Sequence, residues 1–207
     1  QRGPTQDLWH RYLAQEGYVV AQVNNRGSGG YGKEFEKQVY KQLGKYESRD
    51  FAATANYLGK KSYIDSTRMA IYGHSYGGYM TTYTMFTHPD VFQIGIATAP
   101  VTDFRFYDTI YAERYMGLLE NNEEGYKQSA PVTHAKNLKG HLLLSHSTMD
   151  ENVHVQNTMQ LMTELTGNGI PVDLQIYPPG AHGVAFNTAS YYLLYKSYVD
   201  YLNRFFK

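Results

Sequence analysis

Residues 71–80 read IYGHSYGGYM, with Ser75 set between Gly73 and Gly77 and a further glycine at Gly78. The residues ahead, RMAIYG, read as a strand, and Ser75 opens a helix running toward Thr87. A serine on a sharp strand-to-helix turn, in a Gly-x-Ser-x-Gly pattern, fits the nucleophile elbow. Such a turn brings the residues two before and two after the serine nearly into contact. Side chains there would clash, and the serine is forced into a strained backbone conformation. In return its Oγ stands exposed at the helix start. The backbone N–H of Tyr76 then points to where a tetrahedral oxyanion would form. The competing reading is a tight turn with no chemistry.

Working outward, short apolar runs alternate with helical periodicity. The expected strands are 18–23 (YVVAQV), the run before the elbow, IGIATAP at 94–100, HLLLSH at 141–146 and VDLQIYP at 172–178. Between them, Phe35, Val39 and Leu43 recur as on one helix face, as do Phe51, Ala55 and Leu58. Further helices are expected over 108–115, from Thr158 to the GNG at 167–169, and over 191–206. This alternation predicts one α/β unit: a mostly parallel sheet with helices on both faces. Reactive groups then gather beyond the carboxyl ends of the strands.

The totals exclude several classes. The 207 residues carry 19 Lys plus Arg against 19 Asp plus Glu, so no basic excess points to nucleic acid or to an anionic membrane. No apolar stretch approaches the roughly 18 residues needed to cross a bilayer. With no cysteine, disulfides and thiolate metal sites are excluded. The 21 tyrosines suit half-wet clefts, because each pairs an apolar ring with a polar tip. The chain starts at Gln1 without an initiator Met, which reads as material missing upstream.

A serine hydroxyl needs a base, and the base needs a carboxylate to hold it. On this architecture the partners follow in the order Ser, acid, His, each after a later strand. Asp150 follows the strand HLLLSH, and His182 follows VDLQIYP in the loop PPGAHG. Both fall on the sheet edge that carries Ser75. A loop histidine bonding to backbone is the alternative for His182. His146, Asp150 and His154 share an i, i+4, i+8 spacing that would gather metal ligands on a helix. The segment reads as a loop, so neither a metal nor another cofactor is expected. His74, beside the serine, is expected to point elsewhere. His10, His88, His134 and His141 are read as surface or structural.

The motifs GHSYGGY at 73–79, HSTMDENVH at 146–154 and GAHG at 180–183 resemble the prolyl oligopeptidase family of serine peptidases, most closely its dipeptidyl peptidase IV branch. NNRGSGGYG at 24–32 and APVTDFRFYDTIYAERYMG at 99–117 match that branch too. The resemblance runs along nearly the whole chain. It implies an α/β-hydrolase domain, the C-terminal part of a longer protein, that releases N-terminal dipeptides with proline second. Ser75 is then the nucleophile, His182 the general base and acid, and Asp150 the orienting carboxylate. Val101, Phe104, Tyr107, Tyr111 and Val153 match the lining of the proline pocket. Asn152 matches the amide that holds the substrate's penultimate carbonyl. Tyrosine faces suit a compact apolar prolyl ring, adding about 0.5–1.5 kcal/mol beyond burial; ordinary core packing is the alternative.

The resemblance also implies an N-terminal β-propeller outside this chain, carrying acids that grip the substrate's amine, and a homodimer. A bacterial periplasmic setting is the reading carried forward. Three departures stand out. Gln1 or Arg2 occupies the place of an oxyanion-donating tyrosine before the Gly3-Pro4 turn. Ser147 replaces a usual glycine and Glu151 a usual aspartate, neither expected to touch the triad. The strand before the Gly-Pro turn is absent, so a gap is expected between the strand at 18–23 and that at 68–72. Two alternatives use the same scaffold: an acylaminoacyl-peptidase or carboxylesterase, and a non-catalytic binding protein.

Overall fold

The structure, a computed structural model, describes the backbone of residues 4–207 and the side chains from Leu8 onward. The Gln1, Arg2 and Gly3 positions that the oxyanion comparison invokes lie outside the described residues. The sheet has four parallel strands in sequential order: β1 (Ala70–His74), β2 (Ile94–Thr98), β3 (His141–Ser147) and β4 (Asp173–Tyr177). His74 pairs with Thr98, Thr98 with Ser145 and Ser147 with Tyr177, so all four carboxyl ends meet one rim.

Helices cover both faces because the strands alternate. Leu143, Ile94 and Ile96 face one side, where α1 (Pro4–Gln15) delivers Trp9 and Leu13 and the terminal α9 (Thr188–Phe206) delivers Leu194, Tyr198 and Leu202. Leu142, Leu144 and Ala97 face the other. There they meet Ala55 of α3 (Lys45–Leu58), Met85 and Phe86 of α4 (Tyr76–Thr87), and Leu161 and Leu165 of α8 (Gln156–Gly167). α9 starts at a capping box in which Asn187 and Ser190 satisfy each other's backbone N–H groups. Between β2 and β3, ahead of the short α7 (Pro131–His134), helices α5 (Thr109–Met116) and α6 (Glu123–Ser129) contribute Ala112, Met116 and Tyr126 to a third apolar cluster. No helix among the described residues is long and apolar enough to cross a membrane.

Three local expectations need correction. Residues 18–23 form no strand, while β1, beside the expected gap, is a sheet edge with Tyr72 38% exposed. A ladder needs a neighbour, and no described residue pairs with either segment's free side. The Phe35–Val39–Leu43 period marks burial correctly but not a continuous helix. α2 (Lys33–Glu36) gives way to a 3₁₀ turn over Lys37–Val39, and the positive φ of Lys41 (63°) and Gly44 (87°) then redirects the chain into α3. The Gly3-Pro4 segment was read as a turn, yet Pro4 begins α1. A proline at the first helical position, followed by Trp9 and Leu13 on one face, is the signal for that helix.

Candidate active site

β1 ends at His74 and α4 begins at Tyr76, leaving Ser75 alone on the turn with φ 60° and ψ −118°. A non-glycine residue there is strained, and the turn is held by Ser75 N–H donating to Thr98 O (2.8 Å) and Tyr79 N–H donating to Ser75 O (2.9 Å). The glycines act unequally. A Cβ on Gly73 would sit 2.4 Å from the backbone of Gly77, and one on Gly78 2.7 Å from Thr98 O. A Cβ on Gly77 would meet no described atom within 4 Å, so the clash runs in one direction. Tyr76, as the first helical residue, has an N–H with no intrahelical acceptor.

Asp150 stands three residues past β3 and His182 five past β4. The imidazole Nε2 lies 2.8 Å from Ser75 Oγ, and Nδ1 lies 2.8 Å from Asp150 Oδ2. Asp150 is buried, and its Oδ1 accepts from the N–H groups of Asn152 (3.0 Å) and Val153 (2.9 Å). Burial alone would raise the Asp150 pKa. Hydrogen bonds from His146, His182 and Val153 outweigh it and hold the carboxyl well below the usual carboxylate range.

Several residues for which no part beside the triad was expected support this arrangement. His146 is fully buried. Its Nε2 lies 2.8 Å from Val153 O and 3.2 Å from Asp150 Oδ2, and its Nδ1 lies 2.7 Å from Thr158 Oγ1. His154 is exposed and takes no part. His74 does not point away: its Nε2 donates to the His182 carbonyl at 2.7 Å, with ring centroids 4.7 Å apart. Ser147 also reaches the site, since its Oγ donates to Ala181 O at 2.9 Å while Thr148 Oγ1 donates to Pro178 O at 2.6 Å. The departure at 147 therefore fastens the loop that carries His182. Only the third dimension reveals the His74 and Ser147 contacts, because they join residues 108 and 34 positions apart in the chain.

The five expected pocket residues lie together, in a group that Tyr76, the residue after the serine, also joins. Val101, Phe104 and Val153 are buried in one cluster, with Tyr76, Tyr107 and Tyr111 packed against it. Phe104 stacks on Tyr111 (6.5 Å, 12°) and Tyr107 meets Tyr111 edge-on at 5.2 Å. Burial pushes the Tyr111 hydroxyl up to about 12. Fixed polar contacts hold the lining. Buried Asp103 accepts from Arg105 N–H (2.9 Å), Asp108 caps α5 by accepting from Tyr111 N–H (2.8 Å), and Thr102 Oγ1 donates to Asn157 O (2.7 Å). Tyr107 hydroxyl donates to Asn152 Oδ1 at 2.7 Å, at the edge of a cleft of about 510 Å³ that Glu151 also lines.

The sequence model of the prolyl oligopeptidase family matches residues 4–207. A protein named "Probable dipeptidyl-aminopeptidase B" from Arthroderma benhamiae is 44% identical over 183 residues, which is 86% of this chain and 20% of that protein. One named "Probable dipeptidyl peptidase 4" from Aspergillus clavatus is 42% identical over 181 residues, 85% of this chain and 24% of that protein. The crystal structure of Porphyromonas gingivalis dipeptidyl peptidase 4 superposes with a TM-score of 0.92 at 42% identity, covering 95% of this chain and 28% of that one. The chain thus spans between a fifth and somewhat over a quarter of the length of these relatives, and its fold is the α/β-hydrolase fold.

Proposed function

This chain belongs to the prolyl oligopeptidase family, and from that premise we propose that it is the catalytic part of a serine peptidase releasing N-terminal dipeptides with proline or alanine second. The observation that carries the proposal is the hydrogen-bonded chain Ser75–His182–Asp150, with both links at 2.8 Å, next to Tyr76, whose ring packs against the Val101–Phe104–Val153 cluster. Ser75 Oγ attacks the carbonyl carbon of the proline residue while His182 Nε2 takes its proton. Asp150 Oδ2 accepts the hydrogen bond from His182 Nδ1–H and stabilises the imidazolium that forms. The Tyr76 N–H donates to the developing oxyanion. His182 then passes its proton to the leaving amine, and the C–N bond breaks to leave an acyl-enzyme. Water, deprotonated by His182, hydrolyses the ester and restores Ser75.

The flat prolyl ring fits against aromatic faces, and Asn152 offers its amide N–H to the substrate's penultimate carbonyl while Tyr107 holds its other end. Recognition of the free amine, and assembly as a homodimer, belong to the whole polypeptide. Names given to relatives support the reading, because relatives 42–44% identical to this chain are named as dipeptidyl peptidases. The test compares Gly-Pro and acetyl-Ala p-nitroanilides on the full-length protein. Preferred turnover of Gly-Pro is expected. Faster turnover of the acetylated substrate would transfer the activity to an acylaminoacyl-peptidase or esterase.

A further inference from the structure

Glu47 lies in the first turn of α3 and is only 2% exposed. Its Oε1 accepts a 2.6 Å hydrogen bond from the Tyr76 hydroxyl. Its Oε2 is buried without a protein partner among the described residues, as is the hydroxyl of Tyr79. Glu47 joins no ion pair among those residues. Burial raises its pKa, and the bond from Tyr76 only partly offsets this. An acid in such a place is expensive, and an apolar side chain of similar volume would suit the packing better. Fold stability therefore does not account for it.

What the acid supplies is a fixed end for Tyr76. That residue is a lever with two working parts. Its backbone N–H adjoins Ser75 at the start of α4, and its ring packs into the Val101–Phe104–Val153 cluster, 5.2 Å from the ring of Tyr79. A carboxyl bonded to the hydroxyl tip restrains the ring and, through it, the N–H. We propose that Glu47 is a positioning residue which, through the Tyr76 hydroxyl, fixes the oxyanion donor and the pocket wall adjoining Ser75. This inference rests on the serine-peptidase reading above.

The test uses full-length protein carrying Glu47→Gln, Glu47→Leu or Tyr76→Phe, and Glu47→Leu combined with Tyr76→Phe. Three quantities are read: the rate of Ser75 modification by a fluorophosphonate, kcat/KM on Gly-Pro and Gly-Ala p-nitroanilides, and the thermal midpoint. Glu47→Gln keeps an acceptor for Tyr76 and should stay near the parent rate. Glu47→Leu should slow phosphonylation about 10- to 100-fold, the scale of a small misplacement at a reacting centre, and lower the Pro-to-Ala ratio. Tyr76→Phe breaks the same bond with almost no change of volume and should reproduce the loss even if the leucine variant folds poorly. The double variant should be no worse than the single ones. Parental rates in both Glu47→Leu and Tyr76→Phe, or multiplied losses in the double variant, would overturn the proposal. If the parent is phosphonylated at Ser75 yet releases no dipeptide, the substrate assignment fails, and the labelling rates still decide the role of Glu47.

Discussion

Replacing Gly73 with alanine tests the elbow more sharply than replacing the serine, because it adds one methyl group and removes nothing. That Cβ would lie 2.4 Å from the C and O atoms of Gly77 and 2.6 Å from its Cα, whereas ordinary contact begins at 3.4 Å, so about 1 Å must be found. The obstacle is backbone in the first turn of α4, which cannot rotate aside. That turn is itself pinned, since Gly78 abuts Thr98 O and Tyr79 N–H bonds to Ser75 O. The displacement therefore passes into Ser75. Lengthening its 2.8 Å link to His182 by about 1 Å takes it beyond hydrogen-bond reach. Misplacement on that scale costs about 10²-fold in rate. Overpacking adds about 1–3 kcal/mol of destabilisation, which for a domain of this size lowers the thermal midpoint by about 2–12 °C. The assay is kcat/KM on Gly-Pro p-nitroanilide beside a thermal melt. A variant within about threefold of the parent rate, melting at the parental temperature, would refute the argument that the glycine is there for closeness.

Three further outcomes are expected. His182→Ala should lower kcat by about 10⁶, measured with the same substrate, and a loss of only a few-fold would mean the base is elsewhere. Stability should respond to pH with opposite signs at two acids. Asp150, whose native pKa is depressed, contributes stability that is whole above the ordinary carboxylate pKa of about 3.9 and is lost as pH falls through its lower native value. Glu47, whose native pKa is raised, contributes stability present below about 4.3 and lost as pH rises through its higher native value. Denaturant melts from pH 3 to pH 8 should therefore show Glu47→Gln gaining on the parent as pH rises; an unchanged difference across that range would contradict the shift. Finally, Ser147→Ala removes the bond to Ala181 O and should cost about 0.5–1.5 kcal/mol of loop anchoring. This is read as a several-fold fall in kcat with KM nearly constant, and an unchanged kcat would deny Ser147 a part in holding His182.

The strands β1 to β4 and helices α4, α8 and α9 were readable from period and punctuation alone, because each is an apolar run or stripe bounded by turn residues. That Ser75, Asp150 and His182 lie at one rim was readable too, since sheet topology places the ends of successive strands there. What the sequence concealed were contacts between distant segments. Nothing local to His74 says that its ring donates to the His182 carbonyl, and nothing local to Ser147 says that it bonds to Ala181. Glu47 was invisible for the same reason: a glutamate in the first turn of a helix ordinarily reads as a solvated partner of the helix dipole, and here it is enclosed by tyrosines. The strand expected at 18–23 shows the opposite error. Its apolar run is real, but a strand is a relation to a neighbour, and composition cannot supply one.

The most direct measurement treats the full-length protein with a fluorophosphonate and locates the adduct by peptide mass spectrometry. A single adduct on Ser75, lost in His182→Ala, is the expected result. No adduct, or one formed equally well without the imidazole at position 182, would contradict the hydrolytic account.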